Sequence, residues 1–226
     1  MRVRFQLCRF TAAITLLLLL TAGVLTAQRD DSHESFPRRF AALGAATELS
    51  DSAKLHQLFD LDWEYTNVVY PEYATYSGYP GQNDRWTDLS VAAINRRRVV
   101  VKNELDVVRA INRERLNPAD QLSYDIFKRG VDEAIEGQKF PRELLQVTQR
   151  DGPQYAASTI GSMPAATVKD YTDIIARLRA LPAVVDQTIA LLDSGTKRGV
   201  TPPRITLRDV PAHMVAVGAS FGRGRR

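Results

Sequence analysis

Cysteine and histidine are scarce in this 226-residue chain, which has one Cys and three His. Cys8 lies in the first ten residues, ahead of an apolar run. The body therefore offers no disulfide, no thiolate metal site and no cysteine nucleophile. A zinc protease helix needs H-E-x-x-H, so that two imidazoles one turn apart reach the same ion. His33-Glu34 begins that motif, but Ser35-Phe36-Pro37 continue it without the second ligand, and His56 and His213 stand alone. Neither a phosphate-loop pattern nor a dinucleotide glycine triplet occurs. Alternating Val, Ile and Thr runs bounded by turns are also missing, which leaves an all-α class, an irregular multi-helix assembly. No catalytic, metal-binding or cofactor-binding residue is assigned to this chain.

An excess of one charge is missing too, once its location is considered. The chain has 30 Lys+Arg against 26 Asp+Glu, a net charge of +4. Setting aside Arg2, Arg4 and Arg9 leaves 27 against 26, and setting aside the terminal Arg223, Arg225 and Arg226 leaves 24 against 26. The body is not basic, and no nucleic-acid partner is expected. Arg96, Arg97 and Arg98 point in three directions around a helix and read as a solvated face. Gly218-Ala219-Ser220-Phe221-Gly222 spells the G-x-S-x-G of a nucleophile elbow. That elbow needs a preceding strand and a later acid and histidine, whereas only four residues follow here.

Residues 1–27 combine an arginine-led start, an apolar stretch from Phe10 through Leu20 and small residues ending at Ala27, the construction of a signal peptide. Cleavage after Ala27 and export to the periplasm or medium are expected. The uncharged stretch from Phe10 to Gln28 also has the length of a membrane anchor, so an uncleaved leader is the one route to membrane contact. Residues 28–49, interrupted by Pro37 and Gly44, read as a flexible linker. Helical organisation is expected over residues 50–210. Ser50 or Ser52 caps a helix carrying Leu55, Leu58, Phe59 and Trp63 on one face and limited by Pro71. Ser90 opens a second, with Val91, Ile94, Val101, Leu105, Val108 and Ile111 inward. Asn117-Pro118 starts a third, ending near Gly137, with Leu122, Ile126, Val131 and Ile135 inward and Phe127 beside them. Residues 140–164 read as a loop, either functional or hiding an element. Thr167 and Asp170 form a capping box for a helix that Pro182 restarts and Gly195 stops. Residues 211–226 read as an atypical Gly/Arg-rich tail.

The stretch from Phe59 to Trp86 holds eight of the eighteen aromatic residues and both tryptophans. Trp63, Tyr70, Tyr73, Tyr76, Tyr79 and Trp86 have two readings. They form a ligand platform, with Asp60, Asp62 and Glu64 orienting the ligand, or they pin a loop against two helices.

Phe59-Asp60-Leu61-Asp62-Trp63-Glu64, Pro71-Glu72-Tyr73-Ala74-Thr75 and Asn83-Asp84-Arg85-Trp86-Thr87-Asp88-Leu89-Ser90 resemble the opening of a widespread bacterial family designated only as a domain of unknown function. Leu122-Ser123-Tyr124-Asp125, Arg177-Leu178-Arg179-Ala180-Leu181-Pro182 and Gly199-Val200-Thr201-Pro202-Pro203-Arg204 continue the likeness in the same order, over about residues 55–210. The resemblance implies a large, mostly helical, often exported protein distantly related to zincin metallopeptidases. It also implies that the zinc motif, and with it zinc and a peptide substrate, belongs to full-length relatives beyond the portion matched here. The expectation is an N-terminal helical portion, truncated before the zinc motif and inactive alone. Such an incomplete domain would leave apolar stripes unpacked. The rival expectation is a self-sufficient exported binding module using segment 59–86.

Overall fold

Ser50 and Ser90 sit in extended conformation, and each side-chain oxygen accepts the backbone N–H three residues on, from Ala53 and Ala93. Asn117 accepts from Ala119 and Asp120, and Thr167 and Asp170 close a reciprocal capping box. Each cap satisfies donors that a helix start leaves unpaired, and thereby fixes where the chain turns helical. The computed structural model describes residues 33 and 35–222, with side chains as far as Ala216, so the leader expected at 1–27 lies outside the described residues. The fold is all-α. Its helices are α1 (Phe36–Ala45), α2 (Asp51–Val69), α3 (Pro71–Ser77), α4 (Val91–Arg109), α5 (Pro118–Gly137), α6 (Ala156–Gly161), α7 (Val168–Lys197), α8 (Arg204–Leu207) and α9 (Val210–Gly222). Among the described residues, β-type pairing is limited to one isolated bridge between Thr148 and Asp151.

Over the described part of residues 28–49, helix α1 corrects the flexible-linker reading. Pro37 lies in its first turn, where a missing N–H costs no hydrogen bond. Phe36 and Phe40 are fully buried, each set edge-on to Tyr65, and Arg39 grips both oxygens of the buried Glu64 at 2.7 Å. Gly44 of α1 faces Val107 of α4. Leu55, Leu58, Val68, Val100, Val107 and Val108 complete a core shared by α1, α2 and α4, with Tyr124 of α5 at its edge. Burial of each such side chain contributes roughly 1.5–3 kcal/mol. Helices α1, α2, α4 and α5 thus share one hydrophobic cluster, while Val91, Leu122 and Ile126 stay exposed on the outer faces of α4 and α5.

Three helix faces differ from expectation. On α4, Val91 is 63% exposed and Val101 only half-buried, and the inward residues are Ala93, Val100, Glu104, Leu105, Val107 and Val108. On α5, Leu122 and Ile126 face outward, and Asp120, Tyr124 and Val131 face inward. The cause is polar: Asp120 accepts from Ser52 Oγ and pairs with His56 Nε2 at 3.0 Å, while Tyr124 Oη donates to the Val108 carbonyl. These bonds turn that side of α5 toward α2 and α4. On α2, Trp63 is 47% exposed, and the buried line passes through Leu61, Tyr65, Val68 and Val69.

Helix α7 is continuous through Pro182, which bends no separate helix out of the chain. Nor does Gly195 end it. Gly195 is buried where an added Cβ would come within 2.5 Å of the Val200 carbonyl. Termination comes at Gly199, φ +69°, where Gly199 N–H bonds to Thr196 and Val200 N–H to Gly195 at 2.8 Å, a Schellman motif. Residues 140–164 hold 3₁₀ turns at Arg142–Leu144 and Pro153–Tyr155 followed by α6. The backbone of residues 211–222 is helical, and the Gly218–Gly222 motif lies within α9, not on a strand-to-helix elbow.

Candidate functional site

A cleft of about 530 Å³ opens between α3, the connection leading to α4, the 146–159 segment and α7. Tyr70, Tyr76, Trp86 and Tyr155 supply its rings, Leu181, Val184 and Thr188 of α7 its floor, and Thr87, Gln146, Arg150 and Thr159 polar edges. Three of the six aromatic residues singled out above meet here. The other three do not: Trp63 and Tyr73 stack edge-on against each other, centroids 6.1 Å apart, and Tyr79 lines a separate depression of about 330 Å³ with Lys169, Asp170 and Asp173. Asp60, Asp62 and Glu64 are absent from the cleft lining as well, and Glu64 is committed to Arg39.

The cleft owes its shape to a residue that sequence reading passed over. Arg177 of α7 is fully buried and spends its guanidinium on α3 and the following connection. Its Nε donates to the Arg85 carbonyl at 2.9 Å, Nη1 to Thr75 Oγ1 at 2.7 Å, and Nη2 to the carbonyls of Gln82 and Pro71. Trp86 returns the link, its Nε1 donating to the Arg177 carbonyl at 2.7 Å while the guanidinium lies 5.2 Å from its ring centroid. Burial pulls the Arg177 pKa down, and Glu72, Asp84 and Asp173 oppose that through their negative charge. Around this staple, Glu72 accepts from the Thr87 amide and hydroxyl, and Gln187 accepts from the Leu89 amide and donates to Asp88. Tyr76 Oη and Thr159 Oγ1, 3.3 Å apart, tie the two sides of the cleft together. The arginine run is divided likewise: Arg97 donates to the Asp88 carbonyl and lies over Tyr70, Arg98 pairs with Glu143, and Arg96 approaches Asp88 at 3.6 Å.

Behind the cleft a second group of titratable residues lies between α2 and α4. Glu104 is buried, and that burial, with the charge of Asp62 adding to it, pushes its carboxyl up to about 8. Burial alone pushes Asp62 up to about 6. Tyr65 and Tyr70 are raised as well, burial being the larger cause, with Arg97 opposing.

The residues present do not fit a zinc centre. His56 meets Asp120 on α2, His213 meets the Tyr155 ring at 6.3 Å, and His33 is influenced by Arg85 and Arg96, its pKa lowered first by burial. Among the described residues no three His, Cys, Asp or Glu side chains gather to hold an ion. No helix among them is long and apolar enough to cross a membrane.

No curated protein and no solved structure matches the chain. A family model described as bacterial protein of unknown function, DUF885, matches residues 71–223, which takes in all of the cleft lining but Tyr70 and also the 211–222 stretch read from sequence as outside the likeness. With more than half of its 226 residues matched, the chain belongs to the DUF885 family.

Proposed function

We propose that the chain is the helical N-terminal portion of an exported metallopeptidase-like protein, and that its cleft forms one wall of a peptide-binding site. The cleft itself carries this reading: four aromatic rings stand over a largely apolar floor, with hydroxyl and amide groups and the charged Glu72, Arg150 and Asp151 around them. That combination suits an extended peptide, whose apolar side chains take the rings and whose backbone takes the polar edges. The zinc expected in full-length relatives would come from outside residues 1–226, so this chain alone binds peptide without cutting it. Because Trp86 lines the cleft and Trp63 does not, the Trp63→Phe protein isolates the relevant signal. Titration with unstructured peptides bearing aromatic side chains is expected to shift its Trp86 fluorescence saturably. Tyr76→Ala should weaken that binding by about tenfold, the loss of one buried contact. A signal that never saturates, or that Tyr76→Ala leaves unchanged, would overturn the peptide reading.

Export is part of the same proposal, on the strength of the leader at 1–27. Amino-terminal sequencing of the secreted protein should begin at Gln28, and Met1 on a membrane-embedded product would contradict it. A second reading, a self-sufficient binding module, is favoured by the core that α1, α2, α4 and α5 close among themselves. The two readings part at the DNA beyond codon 226, where a continuing helical frame with a histidine-glutamate motif supports the first and its absence the second.

A further inference from the structure

The outward face of α7 is apolar where solvent would favour charge. Val168, Tyr171, Ile175 and Ile189 are 85, 57, 47 and 52% exposed, and they share one side of the helix with Arg179, Pro182, Asp186 and Asp193. Arg177, Thr188 and Leu191 occupy the opposite side, so this stripe does not belong to the cleft. Among the described residues neither Arg179 nor Asp186 has an ion-pair partner, and Ile175 and Ile189 are each about half exposed.

Of these positions, 175 and 189, and 171 and 193, are placed symmetrically about Pro182, and 179 and 186 are one residue from being so. Laid antiparallel against a copy of itself with that residue on the two-fold axis, α7 places Ile175 opposite Ile189, Tyr171 opposite Asp193, and Arg179 within one residue of Asp186. Both members of each pair occur twice, as an isologous interface requires. Apolar meets apolar, a hydroxyl meets a carboxylate and a guanidinium meets a carboxylate. At 1.5 Å rise per residue, the Arg179–Asp186 offset amounts to about 1.5 Å, well within the reach of an arginine side chain. We infer that the outer face of α7 is the contact surface for a second copy of this chain, the two helices packing antiparallel about Pro182. This inference does not draw on the peptide reading.

Light scattering on the purified chain across a dilution series, joined to a crosslinking trial, tests it. The wild-type chain should pass from dimer to monomer on dilution. Ile175→Glu should weaken the dimer by at least about tenfold, with unchanged circular dichroism. Arg179→Asp and Asp186→Arg should each weaken it, and the two together should restore it, a rescue that a folding defect would not produce. In a Cys8→Ser background, Pro182→Cys should form a disulfide-linked dimer on oxidation, because a thiol on the axis faces its own copy within the roughly 7 Å that a disulfide spans between Cα atoms. Ser123→Cys, exposed on α5, should not. Three results would overturn the inference: a monomer at every concentration, a charge swap without rescue, or equal crosslinking at positions 123 and 182.

Discussion

Glu104 gives the sharpest test of the energetics. It is 6% exposed on the inward face of α4, and its carboxyl loses a proton near pH 8 where an unfolded chain's would do so near 4.5. Across that interval the folded protein holds one proton more than the unfolded chain. Stability therefore falls as pH rises, by up to about 1.4 kcal/mol per pH unit and about 5 kcal/mol over the whole interval. Asp62 adds a fall of the same sign between its ordinary 3.8 and about 6. Glu104→Gln replaces the protonated acid with an amide of the same shape that cannot ionise. The variant should match the wild type at pH 5 and exceed it by about 3–5 kcal/mol at pH 8, or about 10 °C in melting temperature for a chain of this size. Urea unfolding followed by circular dichroism at pH 5, 6, 7 and 8 measures both curves. Above pH 6 the wild-type curve should slope down and the variant's should be flat. Parallel curves would refute the reasoning, since they would mean that the Glu104 proton is lost equally early in both states.

Phe36→Ala should cost about 3–5 kcal/mol in urea unfolding, whereas a flexible linker would lose nothing. Arg177→Met should cost about 3–5 kcal/mol, because the carbonyls of Pro71, Gln82 and Arg85 lose their donor, and Trp86 fluorescence should move toward that of an exposed ring. Gly195→Ala should lower stability by about 1–3 kcal/mol, since its Cβ would meet the Val200 carbonyl; an unchanged melting temperature would show that the helix end yields freely.

Helix starts were legible because each rests on one side chain bonding its own neighbouring backbone: Ser50, Ser90, Asn117 and Thr167 all cap as their sequence context implies. Helix faces were less legible, because tertiary polar contacts reorient them. Leu122 and Ile126 fit an apolar stripe, yet the bonds of Asp120 to Ser52 and His56, some sixty residues away, turn α5 the other way. Helix α1 was hidden by Pro37 and Gly44, read as breaks although one sits in the first turn and the other faces α4. At the site, the aromatic composition drew attention to the right segment. It could not separate Tyr70, Tyr76 and Trp86, which reach the cleft, from Trp63 and Tyr73, which pair with each other. Arg177 stood in a segment carrying the family likeness, but its role left no signal, since a buried arginine on an otherwise amphipathic helix looks like any surface cation until its acceptors, more than ninety residues upstream, are in place.

That separation has a consequence for the order of events as the chain leaves the ribosome. The contacts among α1 to α5 can form once about residue 137 is available. The bonds that shape the cleft join Thr75, Gln82 and Arg85 to Arg177, and Tyr76 to Thr159, across 83 to 102 residues of sequence. Closing such distant contacts is slow and comes late. During synthesis the core can therefore close before Arg177 has been made, and the cleft takes shape only once α7 is present. A chain interrupted before residue 177 would thus lack the guanidinium that ties Thr75, Gln82 and Arg85 together and, with it, the shape of the cleft.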